Sequence, residues 1–100
     1  MAITNWYDAI LKSFFTKQFL KNYALIINGA VKIQPQDFRI NKIIIINNSS
    51  GTIYLGADSN VNTSNGFPIL PNNIIILNCS SDFSFYLYGN NQEIRVLEIE

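Results

Sequence analysis

Residues 41–56 read NKIIIINNSSGTIYLG. A run of four isoleucines and the triplet Ile53-Tyr54-Leu55 are separated by Asn, Ser and Gly, the residues that favour turns. The same grammar extends in both directions. YALIINGAVKI (23–33), NNIIILN (72–78), DFSFYLY (82–88) and EIRVLEI (93–99) are short, β-branched or aromatic, and bounded by turn formers. No helical period lies between them, and spacings of roughly 10 to 20 residues favour a sandwich or barrel over βαβ units. Asn28-Gly29 predicts a hairpin turn within 23–33, because both residues tolerate positive φ. Gly89-Asn90-Asn91 predicts the turn of a last hairpin. The expected fold is mainly β: a small antiparallel β-sandwich of about seven strands, formed by residues 21–100.

The strands are not alike. In FSFYLY, Phe83, Phe85 and Leu87 share one face while Ser84, Tyr86 and Tyr88 share the other, the pattern of a half-buried strand. The runs IIII (43–46) and IIIL (74–77) are apolar on both faces. One face of an antiparallel sheet normally meets water, so the second face of these strands needs a cover, either an apolar segment of the same chain or another subunit.

Residues 1–20 follow a different period. Asn5 is a helix cap and Asp8 sits in the first turn, where the helix dipole favours an anion. Trp6, Ile10 and Phe14 recur every four residues, flanked by Tyr7, Leu11 and Phe15, which makes a wide apolar stripe. Asp8 and Lys12 form a favourable i,i+4 pair. The spacing predicts an amphipathic helix over about 5–18, within an N-terminal attachment segment 1–20. Trp6, Tyr7, Ile10, Leu11, Phe14 and Phe15 are the candidate partner-binding residues.

One hundred residues is the size of one domain with one modest core. Hydrophobic residues make up 48% of the chain and charged residues only 14%, and isoleucine and asparagine together account for roughly a third. Both have AT-rich codons. Net charge is zero and the pI is near 6.2, so neither nucleic acid nor an anionic membrane is an expected partner. No apolar stretch approaches the length of a membrane span. A near-neutral, isoleucine-rich surface tends to self-associate, a liability in a free monomer but expected of a subunit in an assembly. Cys79, the single cysteine, cannot form an internal disulfide and reads as a small buried hydrophobe. The N-terminus lacks a basic region followed by an apolar one, so no secretory leader is expected, and the four Asn-x-Ser/Thr sequons read as chance.

The residues offer little chemistry. With no histidine there is no imidazole base, no Ser-His triad and no His metal site. None of the seven carboxylates forms a spaced pair. Asp58 and Asp82 read as loop acids bonded to their own backbone rather than an acid/base couple. Asp58, Asn60 and Asn62 alternate like an oxygen-rich calcium loop, but the glycine and terminal glutamate of an EF-hand are missing at the right offsets. No catalytic residue, cofactor or metal site is expected, and the chain does not read as an enzyme. Trp6, Tyr7, Tyr54, Tyr86 and Tyr88 form the one alternative constellation, a possible sugar-stacking face of a carbohydrate- or receptor-binding module.

From Ile43 to the C-terminus the chain resembles a small β-domain of tailed-bacteriophage virion proteins. The matching elements are Asn47–Ser49 at a strand end, Ile53-Tyr54-Leu55-Gly56, the loop from Val61 to Gly66-Phe67-Pro68-Ile69, Leu70-Pro71, Phe85 to Tyr88, and Val96-Leu97-Glu98. Asn72 stands where that family usually has glycine, a replacement that asparagine can make at positive φ. The resemblance implies a non-catalytic virion component: a capsid decoration protein, a head-fibre base, or a neck or tail accessory. Its implied partners are the viral capsid or other virion proteins, and sister subunits in a homo-oligomer, commonly a trimer.

Overall fold

The computed structural model describes residues 19–35, 37–80 and 82–100. The helix expected over 5–18, with its six partner-binding side chains, lies outside the described residues. Among the described residues six strands form: β1 (Phe19–Ile33), β2 (Lys42–Asn47), β3 (Ile53–Gly56), β4 (Phe67–Ile69), β5 (Ile74–Asn78) and β6 (Phe85–Ile99). They make one antiparallel sheet curled into a half-barrel, not the two facing sheets of a sandwich. β6 is its spine. One edge of β6 pairs with β1 from Phe85 to Ile99; the other pairs with β3 in its first half and β2 in its second. β4 and β5 flank β3 and β2.

The count differs from the expected seven because neither predicted hairpin forms. Asn28-Gly29 and Gly89-Asn90-Asn91 do not reverse the chain; they lie opposite each other within the β1–β6 ribbon. Ile27 pairs with Gln92 and Gly29 with Gly89, so Asn28 alone faces Asn90 and Asn91, two residues against one, which is a β-bulge. The positive φ that a hairpin would have used is taken up by this bulge, at Gly29 (φ 75°) and Asn91 (φ 55°). A Cβ on Gly89 would come within 2.8 Å of the Gln92 amide oxygen and 3.3 Å of the Ile27 carbonyl, so the crossing is built for glycine. Long-range pairing of two 15-residue runs outweighs two local turns. The four expected hairpin arms fuse into β1 and β6, while the three-residue β4 is the strand that the sequence pattern does not reveal.

A flat 15-residue strand would run close to 50 Å at about 3.3 Å per residue. The bulge bends the ribbon, and the inner face closes on a single core from both halves. Ile27, Ile43, Ile45, Ile53, Leu87 and Ile94 are fully buried there, joined by Ile33, Ile40, Ile69, Phe85 and Val96. The alternation read from FSFYLY holds for Phe85 and Leu87, whereas Phe83 lies before the strand and stays 39% exposed.

Candidate interaction surface

Cross-strand register divides the outer face of the sheet into two halves, one on each side of the bulge. In one half, Ile76, Ile44, Leu97 and Asn22 form a row across β5, β2, β6 and β1, and Ile74, Ile46, Arg95 and Ala24 form the next. These isoleucines are the second-face residues of the two all-apolar runs. Ile76 on β5 is 43% exposed, and Ile26 on β1, at the opposite edge, 53%. Most of these side chains line a shallow trough of about 430 Å³. In the other half, Tyr54 of β3 lies directly opposite Tyr88 of β6, and Tyr86 is two residues along the same face. Ala30 and Lys32 of β1 flank them. All three tyrosines are half-buried.

The sugar-stacking constellation is therefore brought together only in part. Tyr54, Tyr86 and Tyr88 share a face, while Trp6 and Tyr7 lie outside the described residues. Gly66 helps to set this face, since a Cβ there would sit 2.5 Å from the Cβ of Tyr54. Pro68 pairs with Tyr54 from the edge strand β4, where its missing N–H costs no central ladder bond.

The polar stretch between the isoleucine runs is occupied with its own structure. Asn47 is fully buried at the end of β2. Its Nδ2 donates to the carbonyls of Gly51 and Ile69, each at 2.8 Å, and its Oδ1 accepts from the Ser49 N–H at 3.1 Å and the Ser49 hydroxyl at 2.6 Å. Its backbone carbonyl accepts from Asn72 N–H at 2.8 Å, and Asn72 adopts the positive φ (65°) expected of a glycine replacement. The Asn-x-Ser of the resemblance is thus a turn clamp, and an Asn47 nitrogen engaged twice in the interior has no free N–H for a glycan. In the 57–66 loop, Asp58 Oδ1 accepts from Asn60 N–H at 2.9 Å, Asn62 Oδ1 from Ser64 N–H at 2.8 Å, and Asn65 Oδ1 from Asn62 N–H at 2.8 Å. The Asp58 and Asn62 oxygens close Asx turns, and that of Asn65 ties the loop back to Asn62. Among the described residues no three His, Cys, Asp or Glu side chains form a metal-binding group. Asp82 accepts from the Ser80 hydroxyl, which holds its carboxyl below the usual range.

One buried carboxylate was not among the acids singled out in the sequence, Asp58 and Asp82. Glu98 is fully buried on the inner face, paired in register with Lys21 and Ile43. The Tyr23 hydroxyl donates to its Oε2 at 3.3 Å. Burial first, then the charge and hydrogen bond of Glu98, push the Tyr23 phenol up to about 12. Burial and the same carboxylate raise the Cys79 thiol. Period two carries the missing signal: Ile94, Val96 and Glu98 alternate along EIRVLEI and share the core face.

The surface thus offers an aliphatic trough and a tyrosine platform on one sheet face, with local structure elsewhere. The chain matches no family model, no curated protein and no solved structure.

Proposed function

We propose that the protein is a non-enzymatic virion structural subunit, of the capsid-decorating or head-fibre kind. It would dock on the phage particle through apolar surfaces and assemble with sister copies as a homo-oligomer, a trimer in the manner of the resembled family. The observation that carries this reading is the aliphatic half of the outer face, where Ile44, Ile46, Ile74, Ile76 and Leu97 align across three strands of a chain with zero net charge. Contiguous apolar surface of this kind marks contact with another protein. The stripe Trp6, Tyr7, Ile10, Leu11, Phe14 and Phe15 supplies a second such surface, and the lack of histidine and of paired carboxylates supports a role without catalysis.

The test is composition of purified particles. The protein is expected at a fixed ratio to the major shell protein, and replacing Trp6, Ile10 and Phe14 by serine is expected to abolish incorporation. Particles that lack the wild-type protein would refute the proposal.

A second reading is favoured by the clustering of Tyr54, Tyr86 and Tyr88 on one face. Stacked phenol rings suit the apolar faces of sugars, and their hydroxyls suit sugar hydrogen bonds. Saturable binding on a glycan array, lost in Tyr54→Ala and Tyr88→Ala, would place the protein among carbohydrate- or receptor-binding modules instead.

A further inference from the structure

The free edges of the sheet are unequal. Among the described residues β1 has a strand beside it on one side only, which leaves a 15-residue edge. The other two edges are short: β4 has three residues, Pro68 among them, and β5 has five. Natural edge strands are blunted by brevity, proline, charge or a bulge. Between Asn22 and Val31, β1 carries no proline and no charge. The extra residue of the bulge lies on β6, so β1 keeps alternating through Asn28 and Gly29. Side chains are open along the same edge. Tyr23, Leu25 and Val31 face inward but stay half-buried, whereas Ile43, Ile45, Ile94 and Val96, inward on β2 and β6, are buried. A cleft of about 500 Å³ opens there, lined by Tyr23 and Leu25 from one half of β1 and by Val31 and Ile33 from the other.

From this geometry we infer that β1 of one copy pairs antiparallel with β1 of a second copy, about a two-fold axis at Asn28, and so closes the open side of the half-barrel. The bend selects the occupant. The ribbon turns at the bulge, so a straight foreign strand could follow only half of the edge, whereas a second β1 is bent at the same residue. The register set by that axis is self-complementary. Tyr23 stands opposite Ile33 of the second copy and Leu25 opposite Val31, so the four residues that line the cleft cover one another. Ile27 meets Gly29, where an added Cβ would find no atom within 4 Å. Asn28 meets its own copy, and each side-chain amide both donates and accepts. Lys32 faces Ala24, and Lys21 falls beyond Ile33, so no like charges are opposed. A net charge of zero adds no repulsion between the copies. The contact lies at the sheet edge and leaves Ile44, Ile46, Ile74 and Ile76 uncovered, so it goes beyond the proposed function and does not depend on it.

Ile26 and Ala30 are both exposed, and in this register each opposes the other across the axis. Within one copy they lie about 13 Å apart at about 3.3 Å per residue, so charges placed on them report the contact between copies. Sedimentation equilibrium of the full chain over a range of concentrations is the measurement. The wild-type mass is expected to rise with concentration to at least twice the 11.4 kDa of one chain. Ile26→Lys with Ala30→Lys sets like charges face to face and should halve that limiting mass. Ile26→Lys with Ala30→Glu sets opposite charges there and should restore it. A wild-type chain that stays at 11.4 kDa would leave the edge to a foreign strand and overturn the inference. So would a mass that the two lysines leave unchanged, or that lysine with glutamate does not restore; either would place the contact on another surface. If circular dichroism shows that these substitutions disturb the sheet, Asn28→Cys with Cys79→Ser decides. A disulfide-linked dimer on mild oxidation supports the contact, and a chain that stays monomeric refutes it. Incorporation into particles is a separate readout, so this inference and the virion role fail independently.

Discussion

The two halves of the sheet share one aliphatic core and differ in their outer faces. On the inner face, Ile43, Ile45 and Ile94 on one side of the bulge match Ile53, Ile69 and Leu87 on the other, all buried in one cluster. On the outer face, isoleucine rows in one half give way to three tyrosines in the other. The inner residues are constrained by a shared core, where any polar or undersized side chain costs stability. The outer residues answer to whatever each half touches. Aliphatic side chains need a dry partner, whereas a tyrosine offers an apolar ring and a hydroxyl that stays wet. The difference between the halves is therefore functional information that the core does not contain.

The largest effects are expected inside, and they should be equal in the two halves. Ile45→Ala and Leu87→Ala each remove a fully buried side chain from the common core, and each is expected to cost about 2–5 kcal/mol in urea denaturation. A single cooperative transition in both variants is expected; separate melting of one half would break the picture of one core.

Asn47→Ala comes next, because that side chain ties the end of β2 to the Ile69 carbonyl at the end of β4 and so joins the halves. It removes the donor to the buried Ile69 carbonyl and the acceptor of the Ser49 N–H, while the Ser49 hydroxyl keeps the Gly51 carbonyl, and a loss of about 2 kcal/mol is expected. Hydrogen exchange should rise first in the β3–β4 hairpin.

Gly29→Ala tests the bulge that separates the halves. Its φ of 75° is unfavourable for alanine although no atom lies near the added Cβ, so the cost is conformational, about 1 kcal/mol. Gly29→Asn should recover most of it, since asparagine already occupies the left-handed positions at 72 and 91.

The smallest effect concerns the inner face of the aliphatic half and is read most clearly in alkali. Tyr23 in the aliphatic half has its folded-state pKa raised from 10.0 to about 12 by burial and Glu98. The stability it contributes through this shift is fully present below about pH 10 and is lost as pH rises toward 12. Tyr23→Phe should flatten the stability profile across that window and lower stability slightly at neutral pH, by less than about 1 kcal/mol, because the buried Glu98 carboxylate loses a donor. An unaltered alkaline profile would mean that Tyr23 does not face Glu98.

Much of this architecture was legible in the residues. The isoleucine runs, the Ile53–Gly56 strand and the Phe85–Leu87 alternation follow from period two and β-branching, which act locally. The positive φ of Asn72 was implied by the resemblance, in which glycine stands at that position. The candidate surface was half legible: two all-apolar runs announced an outer face in need of cover, but nothing local placed Tyr54 opposite Tyr88, thirty-four residues further along the chain. Glu98 was obscured because a charge is ordinarily a surface residue, and only the core position of its strand overrides that preference.

By itself the sequence determined that this is a β protein with a small aliphatic core, few charges, and more apolar surface than one sheet face can bury. Hydrophobic period and turn propensity settle those properties within a few residues of each position. Tertiary structure alone decided that Asn28-Gly29 and Gly89-Asn90-Asn91 form a bulge rather than two hairpins. Turn propensity is a preference of about a kilocalorie for a few residues, and the ladder between two 15-residue strands sums many such contributions over a shared core. That choice turned an expected sandwich into one curled sheet, and it set an aliphatic trough and a tyrosine platform side by side on the same face.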